Sequence, residues 1–109
     1  QRYWLSVIRP NDPGEFGTFD GTIDYACIAL VEQSDEFADY VTSMTGNEIS
    51  ENTEVISPWF RCDFQNFEYI MQVMNHSTYH RGQIITIGRN LGFTDAPNTD
   101  YNFYNIHGK

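Results

Sequence analysis

The sequence predicts an all-α protein. Two long stretches carry apolar residues at helical spacing, and a shorter stretch at the start does the same. Clusters of Pro and Gly mark the breaks between them. At 109 residues the chain has the length of one domain, read over 1–109, with no internal repeat and no linker.

Gln1 to Arg9 read as the last turns of a helix, with Trp4, Leu5 and Ile8 at helical spacing. An apolar-rich start of this kind resembles the middle of an element. It raises the expectation that residues precede Gln1, with a processed N-terminus as the alternative. Pro10, Pro13, Gly14 and Gly17 end the helix and make a loop. Thr18 or Asp20 is the expected cap of the next helix. Its apolar positions run from Phe19 through Ile23, Ala26, Cys27, Leu30, Phe37, Val41 and Met44, about seven turns, and Gly46 stops it. The opposite face carries Asp24, Glu32, Asp35, Glu36 and Asp39 and reads as solvated. The stretch "EISENTEVISPWFRCDF" is not helical. A short extended segment or loose hairpin suits it, as does a turn-rich loop. Asp63 is the expected N-cap of a second long helix, which runs through Phe64, Phe67, Ile70, Met71, Val73, Met74, Ile84, Ile85, Ile87 and Leu91. Gly92 supplies a left-handed cap at its end. Gly82 and Gly88 lie inside it, where glycine often marks close approach by another group. The aromatic tail after Gly92 has little periodicity and is expected to pack across the helices.

The formal net charge is -9, and the cations Arg2, Arg9, Arg61, Arg81, Arg89 and Lys109 are scattered. Nucleic-acid binding and an anionic membrane surface both need clustered Lys and Arg, so neither is expected. No apolar run has the length of a membrane span, and no signal peptide is legible. Cys27 and Cys62 do not make a disulfide scaffold; two reduced, buried thiols in a cytoplasmic protein are expected, with a single bridge as the alternative.

The stretch "NHSTYHRGQ" holds His76 and His80, four residues apart. On a helix they share a face, one turn apart. Two neutral imidazoles so placed can bind one transition metal such as Zn, Ni, Cu or Fe. Gln83 falls near the same stripe, and Val73 and Ile87 continue it, so the pair is expected to look inward. The plainer reading is two core or cleft histidines bonded to neighbours such as Tyr79 or Asn75. Ser77 follows His76 where a zinc hydrolase of the HExxH type has Glu, so that mechanism is not available. His107 is the one other histidine and a weak third ligand. No CxxC pair, phosphate loop or nucleophilic triad is positioned by the sequence.

"NHSTYHRGQIITIGRNLGF", with Thr99 and Asp100 soon after, resembles the C-terminal half of the DinB-like (DNA-damage-inducible) metalloproteins. "YWLSVI" resembles the end of that family's second helix. The likeness covers most of the chain and is most specific over residues 75–83. It implies a four-helix bundle, up-down-down-up, with the first helix and part of the second missing here. It implies a homodimer and a divalent metal, commonly nickel or zinc, held by three histidines. Two of these fall on His76 and His80; the third falls before Gln1. Asn75, Tyr79, Arg81, Gly82 and Gln83 match the rest of the motif, with Asn75, Tyr79, Arg81 and Gln83 in structural or ligand-supporting roles.

Activities across that superfamily are mixed: thiol S-transferases, isomerases and hydrolases, with many members of unknown activity. The resemblance therefore suggests a metal-dependent enzyme acting on a small molecule or thiol, with the metal lowering the pKa of a water or thiol. The alternatives are a metal-binding protein of the stress response without catalysis, and a structural helical dimer whose histidines are core. Neither catalysis nor a catalytic residue is fixed by these letters.

Overall fold

Trp4, Leu5 and Ile8 lie on one stripe of the first helix, α1 (Arg2–Ile8), and Leu5 and Ile8 are buried. The coordinates are a computed structural model that describes residues 1–15, 17–18 and 21–108. After α1 come α2 (Ile23–Ser43), α3 (Gly46–Ser50), strands β1 (Asn52–Ile56) and β2 (Arg61–Gln65), α4 (Asn66–Asn90) and α5 (Tyr101–His107). The chain divides into two compact units, Gln1–Met74 and the residues from Asn75 onward.

The all-α four-helix bundle is corrected by this element list. The described residues form five helices and a two-stranded antiparallel sheet. The cause is local. Thr53, Val55 and Ile56 are β-branched, and such side chains fit a pleated surface better than a helix. They pair with 61–65 in a register that places Val55 opposite Cys62. Ser57 closes the turn: its hydroxyl accepts from the backbone N–H of Trp59 and Phe60, and its own N–H donates to the Phe60 carbonyl at 3.0 Å. Of the two readings of this stretch, the hairpin is the one that forms.

Several helix ends also differ from expectation. Thr22 caps α2, its hydroxyl accepting from Tyr25 N–H, and Thr18 does not; Asp20 and Phe19 lie outside the described residues. Gly46 does not simply stop α2. Met44 is the C-cap, and Thr45 opens α3 with a reciprocal capping box to Glu48. Asp63 does not cap α4. It sits in β2 opposite Glu54 and accepts from Asn52 Nδ2 at 3.2 Å. Gly92 behaves as expected, with φ +92°. Phe93 N–H reaches the Gly88 carbonyl and Gly92 N–H the Arg89 carbonyl, a Schellman ending. The tail forms α5, because Asp100 accepts from the N–H groups of Asn102 and Phe103.

The core belongs to the first unit. Leu5, Ile8, Phe37, Val55, Tyr69 and Val73 are buried together, and Trp4, Tyr40, Val41, Met44, Cys62 and Ile70 pack around them. Only the C-terminal half of the α2 stripe takes part. Ile23, Ile28, Leu30 and Val31 are exposed, and Cys27 with them, so the buried thiol expected there is corrected. Both cysteines are free.

Tyr69 joins three elements. Its ring stacks on Trp4 with centroids 5.5 Å apart. Its hydroxyl donates to the Thr53 carbonyl at 2.7 Å, accepts from Phe64 N–H at 3.3 Å and meets Cys62 Sγ at 3.4 Å. Burial, then the Cys62 contact, push its pKa up to about 12. Asp12 ties the loop after α1. Arg2 grips both its carboxylate oxygens at 2.8 Å, Arg9 Nε donates to Oδ2 at 2.6 Å, and Gly14 N–H donates to Oδ1. Arg9 continues to Glu36 Oε1 on α2 at 2.7 Å. The Arg2 bonds, and then the Gly14 and Arg9 bonds, hold the Asp12 carboxyl well below the usual carboxylate range, against desolvation.

Two outcomes follow for stability. Tyr69→Phe keeps the stacked ring and loses the hydroxyl bonds, so urea unfolding should show a loss of about 1–3 kcal/mol. A tyrosine whose pKa is higher folded than unfolded stabilises fully below about pH 10. That contribution fades as pH rises toward the folded value near 12, so the alkaline loss of stability should be smaller in Tyr69→Phe. Asp12 has the opposite sign. Its stabilisation is complete above about pH 4 and is lost as pH falls below that, a slope that Asp12→Asn should flatten while costing about 2 kcal/mol at neutral pH.

Candidate functional site

The second half of α4 carries the histidines. Helix geometry turns each residue about 100° from the last, so positions four apart stack with a small offset. His76 and His80 do so. Their rings meet edge-on with centroids 4.6 Å apart, and their Nε2 atoms lie 3.0 Å from each other. Both side chains are exposed. The expectation that they look inward is therefore corrected. Val73 is buried, yet Ile84 and Ile87 farther along the stripe are about 60% exposed. The stripe changes environment at the turn that bears His76.

Gln83 and Tyr79 complete a chain of polar contacts. Gln83 Oε1 lies 2.8 Å from His80 Nδ1, and Gln83 Nε2 donates to the Tyr79 hydroxyl at 3.0 Å. The Tyr79 ring stands edge-on to His80, centroids 5.3 Å apart. Of the other motif residues, Arg81 donates to Thr78 Oγ1 at 2.8 Å and Asn75 is exposed on the same helix. The structure thus gathers His76, Tyr79, His80 and Gln83 into one cluster, with Arg81 directed to Thr78. His107 packs against Phe103 on α5.

The donor geometry tests what this cluster can hold. Imidazole nitrogens about 2.0–2.1 Å from one ion stand about 2.9 Å apart at a right angle and about 3.4 Å apart at the tetrahedral angle. The observed 3.0 Å falls in that interval. As two donors of a shared ion the pair fits. It is not a complete site, since among the described residues no group of three or more His, Cys, Asp or Glu could hold an ion. The four-helix bundle expected of the chain is corrected by its architecture, and the metal-binding description finds no complete ligand set among the described residues.

A cavity of about 630 Å³ lies beside the same helix, lined by Arg81, Ile84, Ile85, Gly88, Phe93 and Pro97 among others. Its walls are mostly apolar, and Arg81 and Asp95 bring charge to them. Ile84 is one helical turn from His80. Sequence reasoning does not find this cavity, because the segment 93–99 that closes it has no periodicity.

The model of the DinB family matches residues 20–107. This chain belongs to the DinB family. The match spans most of the sequence, including both histidines and the residues around them. No curated protein and no solved structure gives a significant match to this DinB-family chain. Among its described residues no helix is long and apolar enough to cross a membrane.

Gly82 sits between His80 and Gln83 within the DinB-family motif. A Cβ built there meets nothing within 4 Å. Close approach by another group is therefore not its role among the described residues. Gly82→Ala should raise stability in chemical denaturation by about 0.5–1 kcal/mol, the helix-propensity difference between the two residues.

Proposed function

We propose that this protein is a divalent-metal-dependent enzyme acting on a small molecule, with thiol S-transfer the foremost reaction class and hydrolysis beside it. The observation that carries the reading is the convergence of His76 Nε2 and His80 Nε2 at 3.0 Å on one exposed helix face. Nickel or zinc suits a nitrogen pair of this kind. Two nitrogens leave the ion's remaining coordination positions to further donors.

When bound, such an ion supplies Lewis-acid activation of a water or thiol. The chain's own residues do the rest. His76 and His80 hold the ion by Nε2. Gln83 orients His80 through Nδ1, and Tyr79 anchors the Gln83 amide. The cavity lined by Arg81, Ile84, Ile85 and Gly88 opens on a face of α4 turned by more than a right angle from the histidines, so it is not assigned to their substrate. Neither thiol of the chain serves as nucleophile. Cys62 is engaged with Tyr69 in the core, and among the described residues Cys27 is an exposed free thiol on α2, apart in sequence from the histidines of α4. The second reading, metal binding without catalysis, draws its support from the exposure of the pair. Catalysis of the first kind gains most from a site that excludes water.

The exposed apolar residues of α4 and α5, among them Ile84, Ile87, Leu91, Tyr101 and Ile106, favour a homodimer, since a two-fold pairing is the commonest way to cover such surface. Small-molecule and thiol partners are proposed; nucleic acid and membrane partners are not.

Metal analysis of the purified protein tests the reading. Wild type should carry about one equivalent of nickel or zinc, and the double variant His76→Ala/His80→Ala should carry far less. Equal stoichiometric metal in both would sink the proposal. A conjugation assay with an electrophile and a panel of cellular thiols follows. Turnover should vanish on chelation and survive replacement of Cys27 and Cys62, while silence across the panel with metal bound would favour the non-catalytic reading. Sedimentation at micromolar concentration should give a dimer mass.

A further inference from the structure

The side chain of Gln83 touches His80 and Tyr79 at opposite ends of its amide, and the two ends are chemically different. Oε1 only accepts hydrogen bonds, whereas Nε2 only donates. Oε1 faces His80 Nδ1 at 2.8 Å. A bond there requires the proton of a neutral His80 to sit on Nδ1, which leaves the lone pair on Nε2. Nε2 is the atom that faces His76. At the other end Nε2 of Gln83 donates to the Tyr79 hydroxyl at 3.0 Å, a contact consistent with the oxygen facing His80. All four residues lie on one helix at i,i+3 and i,i+4 spacings, so the arrangement needs no other element to form it.

We infer that Gln83 is a positioning residue that selects the Nδ1–H tautomer of His80 and holds its Nε2 lone pair toward the point shared with His76. The inference rests on the proposed metal role for its consequence, but its structural content stands without an ion. It also makes the pair unequal. With His80 Nε2 as acceptor at 3.0 Å, His76 Nε2 is the donor, so at the shared point the ion-free pair presents one lone pair and one proton, engaged with each other. For a divalent ion to bind both, the His76 proton moves from its Nε2 to its own Nδ1 through solvent, while the His80 proton stays where it is. No proton is gained or lost by the pair in that exchange. Gln83 thus presets one ligand and leaves the other to adjust. Groups that orient metal-bound imidazoles in this way typically change metal affinity about 10–100-fold when removed.

The experiment compares wild type, Gln83→Leu and Gln83→Glu. Gln83 is exposed, so both variants should fold. Long-range nitrogen–proton correlation spectra of uniformly ¹⁵N-labelled, metal-free protein, in mildly alkaline buffer, show which ring nitrogen of each histidine carries the proton. Wild type should show Nδ1–H on His80. Gln83→Leu should move His80 toward Nε2–H, the form that dominates a free imidazole side chain. Gln83→Glu, which keeps an acceptor at that place, should restore Nδ1–H. Competition titration with Zn²⁺ should then give an affinity lower by about 10–100-fold in Gln83→Leu and recovered in Gln83→Glu. An unchanged His80 tautomer in Gln83→Leu would overturn the inference. So would a loss of Zn²⁺ affinity that Gln83→Glu does not recover. If the tautomer responds as described and no form binds Zn²⁺, the positioning role holds and the metal reading is the one that fails.

Discussion

One buried tyrosine determines how the first unit holds together. Tyr69 offers a flat ring to Trp4 and a hydroxyl to both strands of the hairpin. A phenol is one of the few side chains that can bury a large apolar area and still satisfy two backbone groups at its tip. Thr53 and Phe64 are cross-strand partners, so a single oxygen bridges the pair that sets the register. Around it Leu5, Ile8, Phe37, Val55 and Val73 close a small core. Asn66, at the start of α4, adds a second polar tie: it is buried, bonds Thr53 Oγ1 at 2.7 Å and donates to the Glu48 carbonyl. The hairpin is therefore fixed to α4 by polar contacts at one end and apolar ones along its length.

The charged clasp at Asp12 does a different job. The loop between α1 and α2 is rich in Pro and Gly. Two arginines on α1 and its C-cap, one carboxylate and one backbone N–H give that loop a defined start, and Arg9 extends the tie to Glu36. Partly buried, bidentate pairs hold geometry better than exposed ones. Glu36 belongs to the acidic stripe of α2, so one member of a face that reads as solvated is structural.

The two long helices and α1 were legible in the sequence because period and breakers act locally, whereas α3 and α5 were not. The Gly92 ending, the hairpin around Pro58 and the shared face of His76 and His80 all depend on residues close together in the chain. What was not legible depends on distant partners. Periodicity marks the stripe of α2 but not which half of it meets Phe37 and Tyr40, hence the misplaced Cys27. Continuity of Val73 with Ile87 suggests one buried face, yet burial ends at the turn of His76. Asp63 has the chemistry of a cap, but pairing with β1 draws it into a strand. The Thr45 to Glu48 capping box is written in the letters, and Gly46 between them masks it. At the site, Gln83 lies three residues from His80 and four from Tyr79, a spacing that admits its contacts without saying which end of the amide faces which ring.

The unequal burial of α4 has a consequence for how the helix opens. Its first turns carry Asn66, Tyr69 and Val73, each buried, whereas the turns from His76 to Asn90 bear side chains that are largely in solvent. Backbone amides are released to solvent by fluctuations whose free energy reflects how much packing must be broken locally. In a single copy, amide hydrogen exchange should therefore run along α4 as a gradient, slow through Ile70 to Val73 and quickening past His76. The imidazoles stand on the fast side of that boundary. A ligand captured there would tighten backbone that the core leaves loose, and protection gained at amides 77–87 would record its binding even if no bond in the first unit changed.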